Sequence, residues 1–384
     1  SFRDSMNKLG VLVPDSEPHA TAYIPEIQVM IRDLVAKSYA YATDDGIYFN
    51  VKKDKGYGKL SHKKIDELLV GARIEENERK QDPLDFALWK YAKPGEPQWE
   101  FEGFGAGRPG WHIECSAMAH ALLGEPLDIH GGGFDLIFPH HENEIAQTEA
   151  ATGKALSRRW VHGGLLTFEN KKMSKSLGNY EPLYEMLERY DPRALRFLFL
   201  QTGYRKPMNF TEESIAGATS GLQRLLKAYA ATASATGGGS SGVDLARARF
   251  FAALDDDVNT AGAVSVLFDL IADTPLLASE GEAVHTFLKE ALSLCGIDDL
   301  DSPLAVKATD LDAAIVARLS SALAGVVSLN GDSPEAAIEK VIAARNAARK
   351  SKDFALADKL RDALAEQRIV LADSRDGTSW SVDA

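Results

Sequence analysis

Cysteine is nearly absent from this sequence: Cys115 and Cys295 are the only two in 384 residues. That excludes a disulfide-stapled extracellular scaffold and makes a reducing, cytoplasmic setting the expectation. Long apolar runs are missing as well. No stretch approaches the roughly 18 uninterrupted apolar residues of a membrane span, and the opening Ser1-Phe2-Arg3-Asp4 has no apolar signal region, so no membrane partner is expected. Positive charge is scarce too. Lys and Arg number 43 against 56 Asp and Glu, a net charge of −13, which excludes a basic nucleic-acid coat and confines any such contact to a local patch. What is present is 45% hydrophobic and 26% charged residues, enough to bury a core, in a length that suits two or three domains.

One segment, Ala233 to Gly242, lacks every large apolar residue and holds Gly237, Gly238 and Gly239 in a row, the composition of a flexible linker. Before it, short apolar runs alternate with helical patterns. Leu127 to His130 and Trp160 to Leu166 read as buried strands flanked by helices, which is α/β grammar. After it, Phe250 to Ile271 and Ala313 to Val327 carry a 3.6-residue period and predict helices, until a strand at Ile369 to Leu371. The N-terminal stretch predicts an amphipathic helix over Ile24 to Ala40 and a hairpin over Tyr39 to Val51, turning at Asp44, Asp45 and Gly46.

Six of the nine histidines (His112, His120, His130, His140, His141 and His162) crowd into 51 residues that also hold Cys115. In Pro139-His140-His141-Glu142-Asn143-Glu144, a helix starting near the proline stacks His140 and Glu144 at i, i+4, where both can reach one ion. Cys115, on the helical segment from Trp111, adds a thiolate. A Cys/His/Glu set of mixed softness suits zinc and leaves one coordination position open. The alternative reading is a small buried cysteine among hydrogen-bonded histidines.

Between these helices stands Asp128-Ile129-His130-Gly131-Gly132-Gly133-Phe134-Asp135. Gly132 lets a backbone approach a flat ligand and Asp135 can bind ribose hydroxyls, with a tight structural turn as the alternative. Downstream, Lys171-Lys172-Met173-Ser174-Lys175-Ser176 has the polar, lysine-rich character of a loop that neutralises charge developing on a pyrophosphate leaving group.

The string Lys172-Met173-Ser174-Lys175-Ser176 is the second signature of class I aminoacyl-tRNA synthetases. Together with Gly107 to Met118 and His130 to Glu144 it resembles the cysteinyl-tRNA synthetase family, and the resemblance extends through Asp191-Pro192-Arg193-Ala194-Leu195-Arg196 and Leu254 to Thr260 into Arg345 to Lys350. The fold it implies is a Rossmann-like class I catalytic domain over 1–209, a helical bundle over 210–305 and a small anticodon-binding domain over 306–384. It further implies zinc, one per chain, on Cys115, His140 and Glu144. Trp111 would line the cysteine pocket and Lys175 would contact ATP; Gly132 and Asp135, from their residue types, are the candidates for the nucleotide, and Lys172 joins Lys175 as a candidate catalytic lysine. The family also begins with a strand bearing another zinc-binding cysteine and a His-Ile-Gly-His type signature. Neither occurs in this sequence, so the expectation is a chain lacking roughly the family's first quarter.

The implied activity is ATP-dependent formation of cysteinyl adenylate and transfer of the cysteinyl group to tRNA(Cys). ATP comes with Mg, L-cysteine is the other small substrate, and a monomer is expected. Two rivals stand beside it: the mycothiol-pathway cysteine ligase, and a non-catalytic zinc- or tRNA-binding fragment. Against the former, the chain continues past the helical region into Lys340 to Arg361, where seven Lys and Arg face two acids for a local charge of +5. Such a patch suits tRNA phosphates, and Trp380 suits either stacking on an anticodon base or capping of the small C-terminal fold.

Overall fold

The computed structural model describes residues 2–63, 79–168, 171–172, 182–304, 314–329, 333–367, 369–373 and 378–382. Packing divides the chain into two units, one formed by Val13–Leu165 with Tyr204–Met208 and the other by Ser1–Leu12, Leu166–Gly203 and Asn209–Ala384.

In the Val13–Leu165 unit, helix α2 (Ile24–Ala36) buries Ile24, Ile27, Met30, Ile31 and Leu34, which recur at helical spacing along one stripe. It ends four residues before the predicted Ala40, because the chain turns at Ser38 with a positive φ of 59° and enters the sheet. The stripe packs with Ile113, Ala117, Ala146 and Ala151 and with Ile47, Phe49, Leu88 and Trp89 of a four-stranded sheet in one core. That sheet runs β1 (Ala40–Ala42), β2 (Gly46–Phe49), β3 (Phe86–Tyr91) and β4 (Gly107–Pro109), antiparallel throughout, and the predicted hairpin is its first pair, with Ala42 opposite Ile47. Full burial of each large side chain there contributes roughly 1.5–3 kcal/mol.

The site-bearing part follows. Helix α3 (Trp111–Leu123) leads to β5 (His130–Gly133), then α4 (Glu142–Thr152), then β6 (Trp160–Gly163). Strands β5 and β6 are parallel, with His130 opposite Trp160 and Gly132 opposite His162, and α4 is the crossover that a parallel pair requires. The first predicted strand is displaced. Leu127 makes only an isolated bridge to Ser157, and the ladder runs through the glycines instead. Glycines give no apolar signal, so hydrophobicity alone shifted the expected strand toward Leu127.

In the other unit, α1 (Phe2–Lys8) precedes β7 (Leu166–Phe168), β8 (Lys171–Lys172), α5 (Leu183–Arg189) and α6 (Pro192–Leu200). Asp191 caps α6 by accepting the Arg193 amide at 2.8 Å, and Pro192 occupies the first helical position, where no N–H is needed. After β9 (Met208–Phe210), a Thr211/Ser214 capping box starts α7 (Glu212–Thr232).

The glycine-rich segment 233–242 joins α7 to α8 (Ser241–Asp255). Glu280 accepts the amides of Gly242 (3.1 Å) and Val243 (2.9 Å), so the first turn of α8 is closed by a carboxylate from elsewhere in the bundle. The predicted periodic run Phe250 to Ile271 is carried by two helices. Asp257 and Val258 take positive φ of 56° and 53°, and Asn259 caps α9 (Thr260–Ala272) through the Gly262 amide.

Helices α10 (Thr274–Ser279) and α11 (Gly281–Leu294) complete this region. The tail comprises α12 (Ala314–Ala322), α13 (Pro334–Lys350), α14 (Phe354–Ala365) and the hairpin of β10 (Ile369–Asp373) with β11 (Thr378–Val382). It has its own core of Ile315, Leu319, Ile338, Val341, Leu360 and Leu364. The predicted helix over Ala313 to Val327 ends at Ala322, and Gly325 is left-handed at φ 77° beyond it.

Candidate active site and metal centre

Two helices and one strand pair assemble the site within the Val13–Leu165 unit. On α3, Trp111, His112 and Cys115 share the face of the first turn, since residues one turn apart stack along a helix. α3 is held to α4 by the Ser116 hydroxyl and the Gln147 amide, 2.6 Å apart and both buried. The segment before α4 is not the plain helix start that the proline predicts. Ile137–His141 forms a kinked turn interrupted by an extended Phe138 (φ −138°, ψ 130°), and regular helix begins at Glu142. Pro139 has no N–H to give an α-turn.

The turn aims His140 and His141 inward, both buried. Glu144, 1% exposed, is the hub: its Oε2 lies 3.8 Å from His140 Nε2, 3.8 Å from His141 Nε2 and 3.1 Å from His130 Nε2. The ligand atoms of Cys115, His140 and Glu144 all lie within 4.8 Å of one another, so the trio named from spacing converges. A second group, His130, His141 and Glu144, converges equally closely, and sequence spacing did not name it. His130 is 14 residues from Glu144 and reaches it only because β5 and α4 pack.

The other nitrogens of the two inward histidines are also occupied. His140 Nδ1 is 2.7 Å from His112 Nδ1, and His141 Nδ1 is 2.8 Å from His162 Nε2. Metal-binding imidazoles commonly have such a partner on the far nitrogen, which fixes ring and tautomer. Burial and the neighbouring His140 push His112 down to about 4, and burial with His130, His162 and His140 pushes His141 down to about 3. His140 is lowered by burial, against the pull of Glu144. Uncharged imidazoles at neutral pH are the ligand form. Burial, with Glu144 and Glu114 adding, raises the Cys115 thiol to about 12, so a cation taken up there must displace its proton. The donors present, one sulfur, one imidazole and one carboxylate, fit zinc.

Gly132 has a definite steric reason. A Cβ there would lie 2.8 Å from His141 Cε1 and 3.0 Å from Leu136 Cδ1, so the bare glycine is what lets the His141 ring lie against β5. Asp135 is exposed in the short turn Phe134–Leu136 that follows β5. Trp111 is 59% exposed, with its ring 4.4 Å from that of His140, so it places apolar surface beside the trio. Lys172 lies in β8 opposite Thr167, and Lys175 falls outside the described residues. In the tail, Arg345 is buried, a correction to its reading as part of a surface patch, while Arg349 and Lys350 are exposed. Sequence reasoning also passed over Glu142 and Asn143, whose partners are more than 80 residues away in the chain.

Among the described residues, no helix is long and apolar enough to cross a membrane. Residues 1–220 match the tRNA synthetases class I (C) catalytic domain, 249–291 the DALR domain and 333–380 the cysteinyl-tRNA ligase anticodon binding domain. The chain is 45% identical over 392 residues to the cysteine–tRNA ligase of Geobacter sulfurreducens, covering 99% of this chain and 80% of that protein. It is 46% identical over 380 residues to the cysteine–tRNA ligase of Azotobacter vinelandii, covering 97% and 77%. Among solved structures, Mycobacterium tuberculosis methionyl-tRNA synthetase bound by methionyl-adenylate shares the fold, with a TM-score of 0.54 at 14% identity over 77% of this chain and 74% of that one. With a class I catalytic domain, a helical DALR region and the tail that marks this group, the chain belongs to the cysteine–tRNA ligase family.

Proposed function

We propose that this chain activates L-cysteine with ATP to cysteinyl adenylate and passes the cysteinyl group to tRNA(Cys), selecting the amino acid at the Cys115, His140 and Glu144 trio. The observation that carries the reading is the convergence of those three ligand atoms within 4.8 Å. A zinc ion held there would supply a borderline-soft Lewis acid that takes a thiolate in preference to the harder, far less acidic hydroxyl of serine.

The chain's own residues do the rest. With a metal on its Nε2, His140 would carry its hydrogen on Nδ1 and would donate it to His112 Nδ1, 2.7 Å away, which would fix the ring. Trp111, its ring beside that of His140, offers apolar surface for the cysteine side chain next to the trio. A site that recognises a substrate group through specific ligands rejects an analogue lacking that group strongly enough to make editing unnecessary. Gly132 and Asp135 serve the nucleotide edge, and Mg accompanies ATP. Lys175, with Lys172 contributing less, stabilises the departing pyrophosphate, an interaction made mainly in the transition state. The tail, 306–384, reads the tRNA through its basic helix face, the catalytic part spans 1–209 and the helical bundle 210–305.

The test is metal analysis together with cysteine-dependent pyrophosphate exchange. About one zinc per chain is expected, with both zinc and discrimination against serine lost in Cys115→Ser. Unchanged zinc content in that variant would defeat the assignment.

A further inference from the structure

A buried carboxylate that no step above uses lies beside the ligand trio. Glu142, 1% exposed, directs both oxygens at one loop: Oε1 accepts the amide of Gly58 at 2.9 Å and that of Leu60 at 3.4 Å, and Oε2 accepts the amide of Ser61 at 2.9 Å. Next to it, Asn143 Oδ1 accepts the Tyr57 hydroxyl at 2.5 Å, and both side chains are buried. The same loop packs on the kinked turn at Phe138. Tyr57 meets the Phe138 ring edge-on at 6.4 Å, and Lys63 Nζ sits 4.6 Å over that ring. Three backbone N–H dipoles of the loop face the Glu142 carboxylate, in the manner of an anion in a backbone nest.

This clasp sits where the site is least self-supporting. Phe138 is extended within that kinked turn, so no regular helical ladder runs through it, and the direction in which it aims its side chains must be set from outside. Glu142 immediately follows that turn. It is two residues after His140 and two before Glu144, so pinning its side chain to a distant loop sets the pitch between these two ligands. We infer that Glu142 is a positioning residue for the metal centre, fixing the geometry of Cys115, His140 and Glu144 by docking the Tyr57–Ser61 loop. The inference rests on the reading that this trio holds a metal.

Gly58 tests the clasp from the other side. Its φ is +96°, and a Cβ there would lie 2.2 Å from the Lys63 carbonyl oxygen, so Gly58→Ala must shift the loop without touching a ligand or its neighbours. Glu142→Gln keeps the volume but points an NH2 group at amide donors. Cobalt(II) and zinc(II) binding to the full chain are the probes, read by competition with a chelator and by the cobalt d–d and thiolate charge-transfer bands. Either variant, folded by circular dichroism, should bind about tenfold or more weakly and shift the cobalt bands, the usual scale for losing support behind a ligand. A purely structural role lowers the unfolding temperature while leaving affinity and spectrum as in the parent, and that result in both variants overturns the inference. Should one variant not fold, the other decides alone. A parent chain that binds neither metal overturns the metal reading itself, a distinguishable failure.

Discussion

The indole N–H of Trp380 donates to Glu339 Oε1 at 2.7 Å, which ties β11 back onto α13 while the ring packs on the tail core. Of the two sequence readings of Trp380, capping of the small C-terminal fold is the one this contact expresses. Trp380→Ala should therefore destabilise the tail by roughly 3 kcal/mol, from lost apolar area and a lost hydrogen bond, whereas Trp380→Phe should cost about 1 kcal/mol. Thermal unfolding of the two variants measures the difference. Equal midpoints for Phe and Trp would show that the Glu339 bond contributes nothing.

Arg345 separates from its neighbours on the same helix. It is buried and bonds Asn346, whereas Arg349 and Lys350 are exposed at the end of α13. Arg345→Ala should lower stability. Arg349→Ala with Lys350→Ala should leave it within about 0.5 kcal/mol, yet weaken tRNA binding and flatten its dependence on salt. Identical salt slopes for parent and double variant would remove these two side chains from the phosphate contacts.

Acid should loosen the metal-free fold earlier than carboxylate titration alone predicts. His112 and His141 are depressed to about 4 and about 3, chiefly by burial, whereas in the unfolded chain they titrate near 6.5. Below about pH 6.5 the unfolded chain binds protons that the folded chain refuses, so stability falls with a slope approaching roughly 1.4 kcal/mol per pH unit for each histidine. The slope fades only as the folded state itself protonates, near 4 and 3. Urea midpoints of chelator-treated protein between pH 7.5 and pH 5 report it, and a flat profile would contradict the depressed values.

Arg193 should be intolerant of substitution. Its guanidinium spends all five N–H bonds: two on Asp191, two on the Asp299 and Ser302 carbonyls, and one on that of Pro303. Arg193→Ala removes two hydrogen bonds from the buried Asp191 carboxylate, a loss of about 2 kcal/mol, while the three carbonyls lie at the surface and turn to water. Arg193→Lys should recover only a fraction, since a single ammonium cannot span the fork. Full recovery by lysine in a denaturant titration would show that charge alone suffices.

Lys175→Ala should slow cysteine-dependent pyrophosphate exchange by orders of magnitude while barely altering cysteine affinity, because a lysine on the leaving group acts mainly in the transition state. An unchanged exchange rate would exclude that role.

The sequence by itself determined the family, the helix periods and the names of three metal-capable residues. Those depend on residue type and on spacing within one element, such as the four-residue step from His140 to Glu144. It did not determine where β5 begins, because glycines pair without any apolar signal, or that Asp257 and Val258 break a continuous helical period. Nor did it separate Arg345 from Arg349, since burial depends on what packs against a helix face. The His130 contact to Glu144, the His141 contact to His162 and the Glu142 clasp on Gly58 and Ser61 join residues 14, 21 and more than 80 positions apart. Only tertiary packing decides such pairings. A side chain carries its own chemistry in the sequence, but its partner is chosen by how the elements carrying them close on one another.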